Sequence, residues 1–89
     1  MNKFRIIWSL ESKSDLNKIK NNISKSKLKN IVIAPKQIVS PEQFQIDEYR
    51  KDCRRIIEGN YRILYQFENQ EIRIIKVFNS LHDPIKSLK

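Results

Sequence analysis

A single glycine sets the folding of the C-terminal half of this chain. Gly59 stands with Asn60 between two β-rich runs, Cys53-Arg54-Arg55-Ile56-Ile57 and Tyr61-Arg62-Ile63-Leu64-Tyr65. Glycine adopts a positive φ without steric cost and asparagine tolerates it, so Gly-Asn is suited to a tight hairpin loop. With these two residues as the loop, Ile57 faces Arg62 and Arg55 faces Leu64 across the ladder. Side chains alternate with a period of two, so Arg55 and Arg62 project from the same side of the sheet. A three-residue loop would put them on opposite sides. Two permanent cations on one stiff platform are a device for gripping phosphates.

The polar stretch Glu68-Asn69-Gln70-Glu71 closes a second hairpin between strands predicted at residues 61–67 and 72–78. With Asn69-Gln70 as its loop, Phe67 pairs with Ile72 and Tyr65 with Ile74, giving an apolar face. The other face carries Arg62, Leu64, Gln66, Arg73, Ile75 and Val77. A further short strand is predicted at residues 44–46, after a loop at 41–43. Toward the N-terminus, residues 4–8 read as a strand. Ser9 is placed to cap a helix whose early turns carry Glu11 and Asp15. Leu10, Leu16, Ile19 and Ile23 form its imperfect apolar stripe, and it is expected to end within residues 22–26. Residues 28–39 read either as a strand around Ile31-Val32-Ile33 or as two short helical pieces, and Pro35 favours the pieces. The expected class is α+β, with two N-terminal helices packed on one face of a small, curved antiparallel sheet. Residues 1–89 are expected to form one domain, with no repeat or linker.

Length and composition narrow the functional classes. The chain has 89 residues, 39% of them hydrophobic and 31% charged, enough apolar material for a modest core. Its net charge of +8 draws it toward polyanions or acidic proteins. Seven lysines (13, 18, 20, 25, 27, 29 and 36) lie between Lys13 and Lys36 against one acid, Asp15. They make either a solvated helical surface or a phosphate-attracting flank. No run reaches membrane-spanning length, and the first residues have no apolar signal core. One cysteine and one histidine make an internal disulfide impossible and a zinc site improbable, which fits a reducing cytoplasm.

Each residue with chemical potential has a structural alternative. Arg62 lies mid-strand among apolar neighbours, and an ion pair with Glu58 or Glu71 is the alternative to phosphate binding. Arg55 shares its face, and Arg54 points to the other. Lys51 and Arg73 complete the candidate phosphate contacts. His82 follows the last strand in a polar segment, where a group titrating near neutrality can serve as general acid or base. Asp83 is better suited to capping a short helix opened by Pro84. Tyr61 and Tyr65 fall on the apolar face and are expected in the core. Cys53 has no neighbouring base to mark it as a nucleophile. Glu42 and Glu48 flank the loop before the sheet as poorly supported carboxylate bases.

The run Arg54-Arg55-Ile56-Ile57-x-Gly59-Asn60-Tyr61-Arg62-Ile63-Leu64-Tyr65, followed by Ile72-x-Ile74-Ile75-x-Val77-Phe78 and Asp83-Pro84-x-Lys86, resembles the RelE/ParE superfamily of bacterial type II toxins. Trp8-Ser9, Asp15-Leu16 and Ile19 extend the likeness to the N-terminus, and residues 24–40 carry little of it. The resemblance implies two helices against a curved antiparallel sheet, action in the cytoplasm, no cofactor, and an antitoxin whose C-terminal segment wraps the toxin. It also implies one of two targets. RelE-like relatives cleave mRNA in the ribosomal A site without a metal, and ParE-like relatives poison DNA gyrase.

On the RelE pattern, Arg62, Arg55 and His82 take the catalytic positions. Arg62 and Arg55 would hold the scissile phosphate and stabilise its transition-state charge, and His82 would move a proton. Two positions depart from that pattern: Cys53 stands where a second basic residue is expected, and no terminal tyrosine follows Asp83. The ending Val77-Phe78-Asn79 with Asp83-Pro84 is closer to ParE. If the chain cuts RNA, Arg62→Ala is expected to abolish cleavage and leave folding nearly intact.

Overall fold

Two serines start the helical layer by turning their hydroxyls onto amides that have no partner inside the helix. The computed structural model describes residues 4–40 and 42–81. In it Ser9 Oγ accepts the Ser12 amide at 3.0 Å and opens α1 (Leu10–Ile19), and Ser24 Oγ accepts the Lys27 amide at 3.2 Å and opens α2 (Lys25–Ile33). Helix α1 stops at Ile19, a little before the expected end. Residues 31–33 complete α2, and Pro35 then sits in a 3₁₀ turn at Ala34–Gln37. The two-piece reading of this region therefore holds, and proline marks the break because it cannot supply the amide a continuing helix needs.

The strands are β1 (Arg5–Trp8), β2 (Arg54–Glu58), β3 (Tyr61–Glu68) and β4 (Glu71–Asn79), in the order β1-β4-β3-β2. Strands β2, β3 and β4 form an antiparallel meander, and β1 adds parallel to β4, so the sheet is mixed. The fold is α+β, two helices against a small sheet, as the sequence implied, but the sheet has four strands and the pairing of β1 is parallel where an antiparallel sheet was expected. At residues 44–46 the expected strand reduces to a single bridge between Ile46 and Arg54.

Both hairpin registers follow from two-residue loops. Glu58 pairs with Tyr61, Ile57 with Arg62 and Arg55 with Leu64. Gly59 has φ +60° and Asn60 does not share the positive region, the pattern of a type II′ turn with glycine at its first central position. In the second loop Asn69 (φ 54°) and Gln70 (φ 64°) are both left-handed, the type I′ pattern.

The register of β4 differs from expectation in its second half. A bulge lies where Leu64 pairs with Lys76 and Tyr65 with Ile74, leaving Ile75 as the extra residue. Val77 therefore faces the helices opposite Ile63, not the arginine side, and Lys76 and Phe78 take the arginine side instead. The cause lies in α1. Strand β1 ends at Trp8, opposite Ile74, and beyond that point α1 satisfies the open edge of β4. Ser9 Oγ donates to the Ile75 carbonyl at 3.1 Å, the Val77 amide donates to Asp15 Oδ2 at 3.0 Å, and buried Lys76 pairs with Glu11.

The main core lies between helices and sheet, where Ile31, Ala34 and Ile38 meet Ile56, Ile63, Tyr65, Ile72, Ile74 and Val77. Cys53, Leu64 and Phe78 form a second, smaller buried cluster, with Ile75 packed against it. Gln70 has a β-carbon in a left-handed conformation that favours glycine. Gln70→Gly is therefore expected to raise stability by about 0.5–1 kcal/mol in urea denaturation, without changing the hairpin register.

Candidate functional site

The platform anticipated from Gly59 is present, and a neighbouring segment covers it. Arg55, Ile57, Arg62 and Leu64 share one face of the β2–β3 hairpin, as the register requires. Residues 45–47 run antiparallel beside the start of β2: the Arg55 amide donates to the Gln45 carbonyl and the Asp47 amide to the Cys53 carbonyl, each at 2.9 Å. This strap supplies acceptors to all three arginines of the run 54–62. Arg54 Nη1 donates to the Phe44 carbonyl at 2.7 Å. Arg55 donates to the Ile46 carbonyl at 3.2 Å and to Gln45 Oε1 at 3.1 Å. Arg62 Nη1 donates to Asp47 Oδ1 at 3.0 Å and to Glu48 Oε1 at 3.4 Å.

Asp47 is the residue that the sequence did not single out. It has no exposed surface, and both oxygens are engaged: Oδ1 by Arg62, and Oδ2 by the Tyr49 and Arg50 amides at 3.1 and 2.9 Å. An aspartate whose carboxylate takes the amides two and three residues on is an Asx turn, and this one starts the irregular stretch leading to Cys53. The side chain of Arg62 is 13% exposed, and its Nε is buried with no acceptor among the described residues. Both carboxylates converge on one guanidinium nitrogen. Glu58 and Glu71, the ion-pair partners expected from sequence, do not take part; Glu71 binds Arg5 and Arg73 instead. The only sequence-level signal for Asp47 is an aspartate before an irregular polar stretch.

Arg54 lies on the face opposite Arg55, as its position in the strand predicts. Lys51, Arg54 and Arg73 line an open cavity of about 450 Å³ at the end of the sheet, where β3 runs on past the start of β2. Glu42, Asp52 and Glu68 line it too, so three cations face three acids and the cavity has no net pull on a phosphate. Arg50 hydrogen-bonds Asp52 at 2.9 and 3.2 Å and holds its carboxyl below the usual range. All seven lysines of the N-terminal half are exposed. His82, Asp83 and Pro84 lie outside the described residues.

Tyr65 is fully buried and its phenol is pushed up, chiefly by desolvation. Burial likewise pushes the Cys53 thiol up to about 11, against the weaker opposing pull of Arg50. A thiol so rarely ionised is a poor nucleophile.

A family model described as the ParE toxin of the type II toxin–antitoxin system, parDE, matches residues 6–84. The chain belongs to the ParE toxin family. Solved structures share the fold of this ParE toxin at low identity. The chromosomal ParDE TA system from P. aeruginosa superposes with a TM-score of 0.69 at 16% identity, covering 89% of this chain and 98% of that one. A copper-bound mutant toxin from Helicobacter pylori gives 0.60 at 17%, covering 92% and 98%. YafQ from E. coli strain BL21(DE3) gives 0.60 at 14%, covering 88% and 94%. No curated protein matches the sequence. Membership in the family implies an antitoxin partner.

The ion pair revises one expectation about folding. Removing Arg62 leaves the Asp47 carboxylate buried without its counter-charge, so Arg62→Ala is expected to cost about 3 kcal/mol in urea denaturation. Asp47→Asn combined with Arg62→Ala is expected to cost less than the sum of the two single changes. Alkylation of native Cys53 at pH 8 is expected to run at least about a hundredfold slower than that of the unfolded chain, followed by mass spectrometry.

Proposed function

We propose that this toxin arrests growth by binding DNA gyrase, without cutting nucleic acid, and that its antitoxin neutralises it by direct binding. The supporting observation is the engagement of Arg62 by Asp47 and Glu48. A strand arginine that stabilises a phosphoryl transition state must offer its donors to the reacting oxygens, and this one offers its most engaged nitrogen to two carboxylates. The departure at Cys53 points the same way: the position holds a buried thiol in place of a cation. The family match to ParE adds to this reading.

On this view the exposed lysines of α1 and α2 steer the protein toward acidic surfaces of its partners, and Arg54, Arg55 and Arg62 hold the strap in place. The site of action is the cytoplasm, where gyrase works, and residues 1–89 act as one domain. The competing reading is ribosome-dependent cleavage of mRNA by Arg62, Arg55 and His82. It draws on the shared face of the two arginines, and it requires Arg62 to leave Asp47 when substrate arrives.

Purified toxin titrated into a gyrase supercoiling reaction separates the two readings when the same preparation is added to translating ribosomes and the mRNA is mapped by primer extension. Loss of supercoiling with no new transcript ends is the expected result. New ends with gyrase unaffected would overturn the proposal in favour of the nuclease.

A further inference from the structure

We propose that Asp47 is the residue that determines target class in this toxin: by holding Arg62 it withholds the hairpin's inner cation from RNA phosphates. The inference rests on reading the chain as a toxin that does not cleave RNA, and it assigns that property to one carboxylate.

The geometry carries the assignment in three steps. First, Asp47 is locked from both sides. Oδ2 takes the Tyr49 and Arg50 amides, so the carboxylate cannot swing away from the sheet without opening its own turn. Oδ1 therefore stays aimed at Arg62 Nη1. Second, Glu48 places another carboxylate on the same nitrogen, so the single positive charge of Arg62 faces two negative ones. A phosphodiester approaching that guanidinium meets like charge at close range, in a setting that water screens poorly. Third, the neighbouring Arg55 is held only by the Gln45 amide oxygen and the Ile46 carbonyl. Neutral acceptors leave its charge intact. The hairpin thus displays one active cation where its register builds two.

The hold on Arg62 is made at one nitrogen, and Nε has no acceptor among the described residues. The Nε edge of the guanidinium is thus not used by the strap, and being buried it becomes open to a phosphate only once the group moves. When Oδ1 stops accepting, only the longer contact to the exposed Glu48 carboxylate still holds the group.

Asparagine at position 47 does this with little change of shape. Its carbonyl oxygen can keep the Tyr49 and Arg50 amides, which turns its NH₂ toward Arg62 Nη1, donor against donor. The turn is kept and the guanidinium is expelled.

The test is binding of a fluorescently labelled, unstructured single-stranded RNA oligonucleotide to the full chain, read by anisotropy across a salt series. Asp47→Asn is expected to tighten binding by on the order of tenfold at low salt, and to steepen the dependence of log affinity on log salt by about 0.7, the value for one additional phosphate contact on a single strand. Adding Arg62→Gln to Asp47→Asn is expected to abolish both changes. A folded Asp47→Asn protein with unchanged affinity and slope overturns the proposal, as does a gain that survives loss of Arg62.

Should circular dichroism show Asp47→Asn to be unfolded, Glu48→Gln takes its place. That side chain is 58% exposed, and the change removes only the second carboxylate. A change of about threefold or less supports the assignment, because Asp47 still holds Arg62, whereas a full gain of about tenfold, or one that survives loss of Arg62, overturns it. Because the readout is RNA affinity, a negative gyrase assay leaves this result standing, and a negative RNA result leaves the gyrase reading standing.

Discussion

A carboxylate removed entirely from water has to be matched by donors, and the irregular middle of this protein is arranged around that requirement. Asp47 receives two main-chain amides and one guanidinium. The amides fix the turn at residues 47–50, and the turn delivers Cys53 to the head of β2. The guanidinium ties this stretch to the start of β3. Without the carboxylate, residues 44–53 would keep the Ile46 bridge, the contacts of Arg54 and Arg55, the Gln66–Asp52 hydrogen bonds and the Phe44–Tyr65 ring contact, but would lose the tie to Arg62. A buried pair of this kind adds little net stability compared with a well-packed apolar pair, but breaking it from one side is costly. Its contribution is to select one arrangement of the strap.

The same device recurs at the other edge of the sheet. Where β1 stops, the capping residue Ser9 and Asp15 of α1 take over as partners for β4 backbone groups, and Glu11 meets Lys76. In both places a polar side chain from outside the strands binds a group of the sheet: the Arg62 guanidinium in one, β4 backbone groups in the other. The bulge at Ile75 belongs to this arrangement. It lets one strand serve β1 with its first half and α1 with its second, and it sends Val77 into the main core and Phe78 to the opposite side.

What could be read from the sequence is what depends on near neighbours. Gly59-Asn60 and Asn69-Gln70 fixed both hairpin registers, because loop length and alternation are local properties. Ser9 marked its helix for the same reason, and Pro35 marked the break after α2. The bulge was not legible, since it is set by where β1 ends and α1 lands, far earlier in the chain. The parallel placement of β1 was hidden likewise. Asp47 was not legible as the partner of Arg62 because the two are joined across an irregular segment with no period to read. The shared face of Arg55 and Arg62 followed from register alone. Whether those cations were free depended on a residue outside either strand.

The pairing of the first strand with the last has a consequence for synthesis. Arg5 meets Glu71 in the β1–β4 register. On the ribosome, β1 and α1 emerge early and have no sheet to join until β4 has been made. The meander of β2, β3 and β4 can form from local contacts, but closure of the far edge waits on a long-range encounter, the slow kind of step in folding. The sheet of a nascent chain is therefore open until β4 has been made, and any protein that recognises the completed sheet has nothing to bind before then.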